Sequence, residues 1–201
     1  MRQMVIDALQ HPFRDPQAIR KLLLGAVFNT LPIVNLLTFG YTLRLLEQVL
    51  GGEEELLPEW TGFTDLFMRG LKVFLVASIY MAFPLLLLHV GANLFLFSIA
   101  ALLSGILEPM AQVNLARTGR ISEALALPRV WTEIKLIVGE YLGALAVWYV
   151  LFFLIATLLS GTAPLLLWIL GSFVGFYLYL FFASLFGRAC SQTHIVRYRA
   201  S

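Results

Sequence analysis

The sequence predicts an all-α integral membrane protein: four transmembrane helices in two hairpins, with an N-terminal re-entrant or kinked hairpin and interfacial amphipathic helices beside them. Three observations carry that expectation. Residues 22–43, 73–107 and 141–187 contain no Asp, Glu, Lys or Arg, giving runs of 22, 35 and 47 residues. An uncharged apolar stretch beyond about 18 residues calls for a bilayer as its solvent. The two longer runs are broken by turn-forming residues, and neither turn holds a Lys or Arg, whereas the N-terminal arm, the central connection and the tail each hold several.

The 201 residues are 60% hydrophobic, which suits one helical membrane domain over 1–201 with little left for a soluble module. Fourteen Lys and Arg against twelve Asp and Glu give a net charge of +2, and the bases are scattered. That balance argues against a nucleic-acid partner. Cys190 is the only cysteine, so an intrachain disulfide, a zinc cluster and a Cys-X-X-Cys pair are all excluded. The first residues carry Arg2, Asp7, His11, Pro12, Arg14, Asp15 and Pro16 ahead of the apolar segment and resemble no signal peptide, so that segment is expected to stay in the mature chain.

In chain order, residues 1–21 read as a cytoplasmic arm and residues 22–50 as the unusual hairpin. Twenty-nine residues are too few for two full spans and a turn, and Pro32, Asn35 and Gly40 divide them. The expected form is a half-helix near 20–31, a bend at Leu31-Pro32-Ile33-Val34-Asn35 and a return helix to about Leu50, packed against the long hairpins because irregular backbone at membrane depth must be covered. A single kinked span with the following loop outside is the alternative. Residues 51–69 form an acidic loop and an interfacial helix, in which Phe63, Leu66, Phe67 and Leu71 share a face and Asp65 and Arg69 pair at i,i+4.

Residues 70–108 form the first long hairpin, turning at His89-Val90-Gly91-Ala92-Asn93, and residues 139–187 the second, turning at Ser160-Gly161-Thr162-Ala163-Pro164. Between them, residues 109–138 make a cytoplasmic connection with a second amphipathic helix starting at Pro128, and residues 188–201 a cytoplasmic tail. Arg and Lys occupy the arm, the connection and the tail, while neither turn holds any. The positive-inside rule therefore puts both termini in the cytoplasm of a cell membrane. Trp60 and Trp131 suit the headgroup belt. The order of interfacial helix and hairpin occurs twice, about 70 residues apart, a hint of duplicated organisation.

Several strings together carry a resemblance. They are Leu31-Pro32-Ile33-Val34-Asn35-Leu36-Leu37, Gly40-Tyr41 with Leu43-Arg44, Gly51-Gly52-Glu53-Glu54-Glu55-Leu56-Leu57-Pro58-Glu59-Trp60, and Leu66-Phe67 with Gly70-Leu71-Lys72. Ala116-Arg117-Thr118-Gly119-Arg120-Ile121 and Gly139-Glu140-Tyr141 add to them. With these the chain resembles the domain-of-unknown-function family 4013 of small polytopic prokaryotic membrane proteins. The resemblance implies a membrane domain and brings no catalytic residues.

Intramembrane charge marks the candidate chemistry. Arg44, with Asn29, Asn35 and Glu47, could line a polar pocket for a lipid headgroup or an anionic solute; the simpler reading pairs Arg44 with Glu47 at i,i+3 on an interfacial helix. Glu108 and Glu140 read as interfacial anchors or partners of Arg117 or Lys135. Glu53, Glu54, Glu55, Glu59 and Trp60 form a loop able to dock a basic partner. His11, His89 and His194 have no metal-binding spacing, Ser160 with His89 lacks an oxyanion motif, and no nucleotide fingerprint occurs, so no cofactor and no enzyme activity are expected. Gly139-X-X-X-Gly143 and Gly171-X-X-X-Gly175 read as small-residue packing ridges. The sequence supports a noncatalytic interaction or assembly subunit of a membrane complex, in contact with membrane lipids and a membrane protein partner. The alternative is a small transporter or lipid-handling protein with its polar site at the re-entrant hairpin.

Overall fold

A computed structural model describes residues 1–52, 56–91, 93–161 and 163–191, and among these the regular structure is entirely helical. The arm folds into α1 (Arg2–Gln10) and a 3-10 turn (His11–Arg14). It is followed by α2 (Ala18–Thr30) and α3 (Leu36–Gly51). The first long hairpin is α4 (Phe63–His89) with α5 (Leu94–Thr118), and the second is α8 (Val138–Leu159) with α9 (Pro164–Ser191). Between them lie the short α6 (Ile121–Ala124) and α7 (Leu127–Leu136). The chain is an all-α, multi-pass membrane protein: α4, α5, α8 and α9 are each long and apolar enough to cross a bilayer.

Both hairpin turns fall where the breakers predicted them. Asn93 caps α5 by accepting the Leu96 N–H at 2.9 Å, and Pro164 opens α9 where its missing N–H costs nothing. We call the end of the bundle that carries these turns the turn end and the opposite end the base. At the base, α5 stops at Gly119, whose φ of +65° makes the left-handed cap while its N–H reaches the Leu115 carbonyl at 2.7 Å.

The segment preceding these hairpins bends at Leu31-Pro32-Ile33-Val34-Asn35. Leu31, ahead of the proline, is extended, and Ile33 adopts a φ of +72°, a conformation a β-branched side chain rarely takes. At 1.5 Å per residue α2 is about 20 Å long and α3 about 24 Å, both short of a ~30 Å hydrocarbon core. The two helices touch each other little. Instead α2 lies on α9, while α3 bridges α9 and α4. The base half of α9 is thereby enclosed: Phe176, Leu180, Phe181, Leu185, Phe186 and Cys190 are all buried.

Two glycines set the tightest crossing. A Cβ on Gly40 would stand 1.8 Å from the Leu66 carbonyl oxygen, and one on Gly70 would stand 1.7 Å from that of Leu36, so α3 and α4 meet backbone to backbone. The ridges expected at Gly139 and Gly171 are not of this kind, since nothing lies within 4 Å of a Cβ at either position. Gly143 meets the Met1 side chain and Gly175 the Asn29 amide.

The amphipathic segment at residues 63–72 forms the first turns of α4 and leads into the span without a breaker between Lys72 and Val73, and Gly70 within it serves a helix contact. One further expectation needs correction. Trp60 is not on an open face: only 9% exposed, it stacks on Tyr41 at 4.1 Å and packs against Phe28 and Phe176. Trp131, by contrast, is half exposed on α7.

Candidate functional site

The residues expected to form a polar pocket are dispersed. Asn29, near the end of α2, donates to the Ser172 carbonyl at 3.0 Å and accepts from Thr38 at 3.4 Å. Asn35 precedes α3, and its carbonyl accepts from Thr38 at 2.6 Å. Arg44 lies about 13 Å further along the α3 axis. It donates to the carbonyls of Glu59 and Thr61 at 3.1 and 3.0 Å and pairs with Asp65 at 2.9 Å. Glu47 pairs with Arg69 of α4. The i,i+3 pair of Arg44 with Glu47 is thus replaced by two pairs across the α3–α4 crossing, because backbone contact at Gly40 and Gly70 brings the α4 charges within reach.

A second ion network was not legible in the sequence. Lys21, 3% exposed at the start of α2, bonds Asp15 at 2.7 Å, Glu59 at 2.6 Å and the Leu57 carbonyl at 2.8 Å. Burial pulls Asp15 upward, but the Lys21 ammonium and the amides of Gln17 and Leu57 outweigh it and hold the carboxyl below the usual range. Burial likewise pulls Lys21 down, and its two carboxylates outweigh that and raise it. The Trp60 indole donates to the Lys21 carbonyl at 3.1 Å and the Tyr41 hydroxyl to the Pro58 carbonyl at 2.7 Å. Glu59 and Trp60 therefore tie the loop to the helices. Glu53, Glu54 and Glu55 lie outside the described residues.

The structure also contains a cavity of about 410 Å³ between α3, α4, α5, α8 and α9. Phe39, Phe74, Trp148, Tyr179 and Phe182 give it an aromatic lining, with Thr42, Ser78, Glu108 and Gln112 as its polar groups. The rings are held in edge-to-face pairs, Phe39 with Tyr179 at 5.4 Å and Trp148 with Phe182 at 5.3 Å. Phe74 and Met81 line the cavity and are also about half exposed, at 49% and 46%, so it communicates with the apolar flank of the bundle. Glu108 is fourteen residues along α5 from Leu94. That places it about 21 Å from the turn end, inside the span of a ~30 Å hydrocarbon core.

Pro109 directly follows this carboxylate. A proline inside a helix leaves one backbone bond unmade and loosens the turn around it. Directly after it, the Tyr141 hydroxyl accepts the Met110 N–H at 3.2 Å and donates to the Ile106 carbonyl at 2.5 Å. Those two backbone groups would pair with each other in a regular helix. Tyr141 so anchors α8 to the turn of α5 that carries Glu108. Glu108 accepts a hydrogen bond from Gln112 one turn later. It is no partner of Arg117, which pairs with Glu133 at 3.4 Å, and Lys135 lies 5.9 Å over the Trp131 ring. Glu140 is exposed. Among the described residues no three His, Cys, Asp or Glu side chains gather to hold a metal.

The profile of the protein family of unknown function DUF4013 matches residues 23–163, more than half of the chain. This chain belongs to the DUF4013 family. In this DUF4013 member the matched segment runs from α2 through the second turn and includes the Gly40–Gly70 crossing, Glu108 and Tyr141. No curated protein matches the chain, and no solved structure does either. The signal that could have singled out Glu108 is its place at the end of an otherwise uncharged run, immediately before a proline.

Proposed function

We propose that this membrane protein is a noncatalytic lipid-handling protein of the cytoplasmic membrane, which holds an amphiphilic molecule in the Glu108 cavity. One observation carries the reading: a cavity of about 410 Å³, mostly apolar and aromatic, opens on the lipid-facing flank and contains, among the described residues, a single carboxylate. Small-molecule sites are typically clefts of roughly 300–1,000 Å³ with a few placed polar groups, and an ionisable side chain at membrane depth usually serves function. The ion pairs of Arg44 and Glu47 engage the polar groups of the short hairpin in packing, which favours the cavity over that hairpin as the ligand site. The α2–α3 segment, too short for two spans, enters from the base and returns to it. Arg14, Arg20, Arg117, Arg120 and Arg129 then face the cytoplasm, with both termini. The paired state of many of these bases speaks against nucleic acid as a partner.

A second reading, an assembly subunit, rests on a different observation. Beyond Leu145 in α8 and before Ser172 in α9, no described residue is buried, so the turn-end halves of this hairpin offer apolar side chains to lipid or to a partner's helices. Native mass spectrometry of the protein extracted in a mild detergent separates the two. A lone chain retaining a small amphiphile, with the adduct lost in Ala77→Phe, supports lipid handling. A stoichiometric protein partner and no adduct would replace it with assembly.

A further inference from the structure

We infer that the amphiphile held in the cavity carries an ammonium headgroup, with Glu108 as its counter-ion; the inference rests on the lipid-handling reading and adds the ligand class. The argument begins with the other acids. Asp7, Asp15, Glu47, Glu59, Asp65, Glu123 and Glu133 are each paired with a Lys or Arg, and Glu140 is exposed. Glu108 alone among the described acids is half-buried on the wall of a cavity with no basic partner among the described residues, bonded only to Gln112. A carboxyl group withdrawn from water stays ionised only where a positive charge offsets its lost hydration and otherwise takes up a proton; a ligand entering the cavity can supply that charge.

The lining agrees with that charge. Phe74, Trp148, Tyr179 and Phe182 present aromatic rings around the same space, and ring faces attract ammonium groups, most strongly where water is excluded. Among the described residues no Lys or Arg lines the cavity, so an anionic headgroup would meet Glu108 with none of them to balance it. A neutral amphiphile would leave the carboxylate as it stands. The opening beside Phe74 and Met81 lets an alkyl chain trail into the bilayer while the headgroup stays near Glu108. The same chemistry is offered by the headgroup of a zwitterionic lipid and by a free lipophilic ammonium ion.

The test is equilibrium binding to the full chain in nanodiscs of anionic phosphatidylglycerol, which contain no ammonium group. The probes are radiolabelled dodecyltrimethylammonium, dodecylphosphocholine, and the uncharged carbon analogue with a dimethylbutyl head. Dodecyltrimethylammonium should bind saturably to one site and bind at least about tenfold more weakly to Glu108→Gln, while Glu108→Asp keeps most of the affinity. The neutral analogue should bind wild type and Glu108→Gln alike. Equal binding of the cationic and neutral probes to wild type, unaffected by Glu108→Gln, would overturn the counter-ion role and leave the amphiphile site standing. Loss of all binding in Ala77→Phe shows in that case that the probes occupy the cavity. Saturable binding of no probe would overturn both readings. Where the cation binds, comparable binding of dodecylphosphocholine indicates a lipid headgroup, and its exclusion a free ammonium ion. If Glu108→Gln does not fold, loss of dodecyltrimethylammonium selectivity over the neutral analogue in Glu108→Asp overturns the role, because that variant keeps the charge.

Discussion

Substituting Gly40 by alanine tests the α3–α4 crossing on which the base of the molecule depends. The new methyl would sit 1.8 Å from the Leu66 carbonyl oxygen, about 1.6 Å inside ordinary contact at 3.4 Å. The atoms it meets, the Leu66 carbonyl and the Gly70 nitrogen, are helix backbone, so the helices must separate by roughly that amount rather than turn a side chain aside. A gap of 0.5–1 Å already forfeits a quarter to a half of each dispersion contact, and overpacking of this kind costs about 1–3 kcal/mol. For a chain of this size the loss corresponds to a fall in melting temperature of about 2–12 °C. Cys190, the only cysteine and fully buried, reports unfolding in detergent through a thiol-reactive fluorogenic dye during a thermal ramp. Gly70→Ala should cost about as much, its methyl lying 1.7 Å from the Leu36 oxygen on the other side of the crossing. The double variant should cost clearly less than the sum, since one separation of the helices relieves both clashes. Gly139→Ala, with open space around it, should leave the melt unchanged or slightly raised. A shift below about 2 °C for either crossing variant, or full additivity in the double, would refute the backbone contact.

Lys21→Met should destabilise by about 3–5 kcal/mol, read in the same melt, because Asp15 at 5% exposure is left without its cation; adding Asp15→Asn should recover part of the loss. The pH profile of the wild type follows from the same pair. Asp15 has a lowered folded value, so its contribution is complete above about pH 4 and is lost as pH falls through that lowered value; Lys21 has a raised one, so its contribution is complete below about pH 10 and is lost as pH rises through it. The melting temperature should hold a plateau between these limits, and Asp15→Asn should flatten its acid edge. For topology, Arg120→Cys and Gly161→Cys, each in a Cys190→Ala background, should react oppositely with an impermeant maleimide on intact cells. Gly161→Cys should label directly and Arg120→Cys only after permeabilisation; the reverse would invert the bundle.

The long hairpins were legible in the sequence because their cause is local. Absence of charge over 35 and 47 residues dictates a bilayer, and His89 to Asn93 and Ser160 to Pro164 supply turn chemistry wherever the helices end up. The bend at Pro32 was legible for the same reason. The sites were not, because a charge reveals its sign in sequence but not its partner. Arg44 and Glu47 look like a pair on one helix, and only the backbone crossing at Gly40 and Gly70 brings Asp65 and Arg69 close enough to take them. Trp60 has the composition of a membrane-interface residue, yet folding of the loop onto α3 buries it on Tyr41. Glu108 ends an uncharged run and so resembles a boundary marker; the helices packed around it, with Tyr141 anchored at the turn beyond Pro109, place it on the wall of an aromatic cavity instead. Sequence alone determined the membrane, the hairpins and the family, which follow from local composition and short motifs. The tertiary structure alone decided which charges are neutralised and which one faces a cavity, because partners that lie tens of residues apart are brought together only by packing.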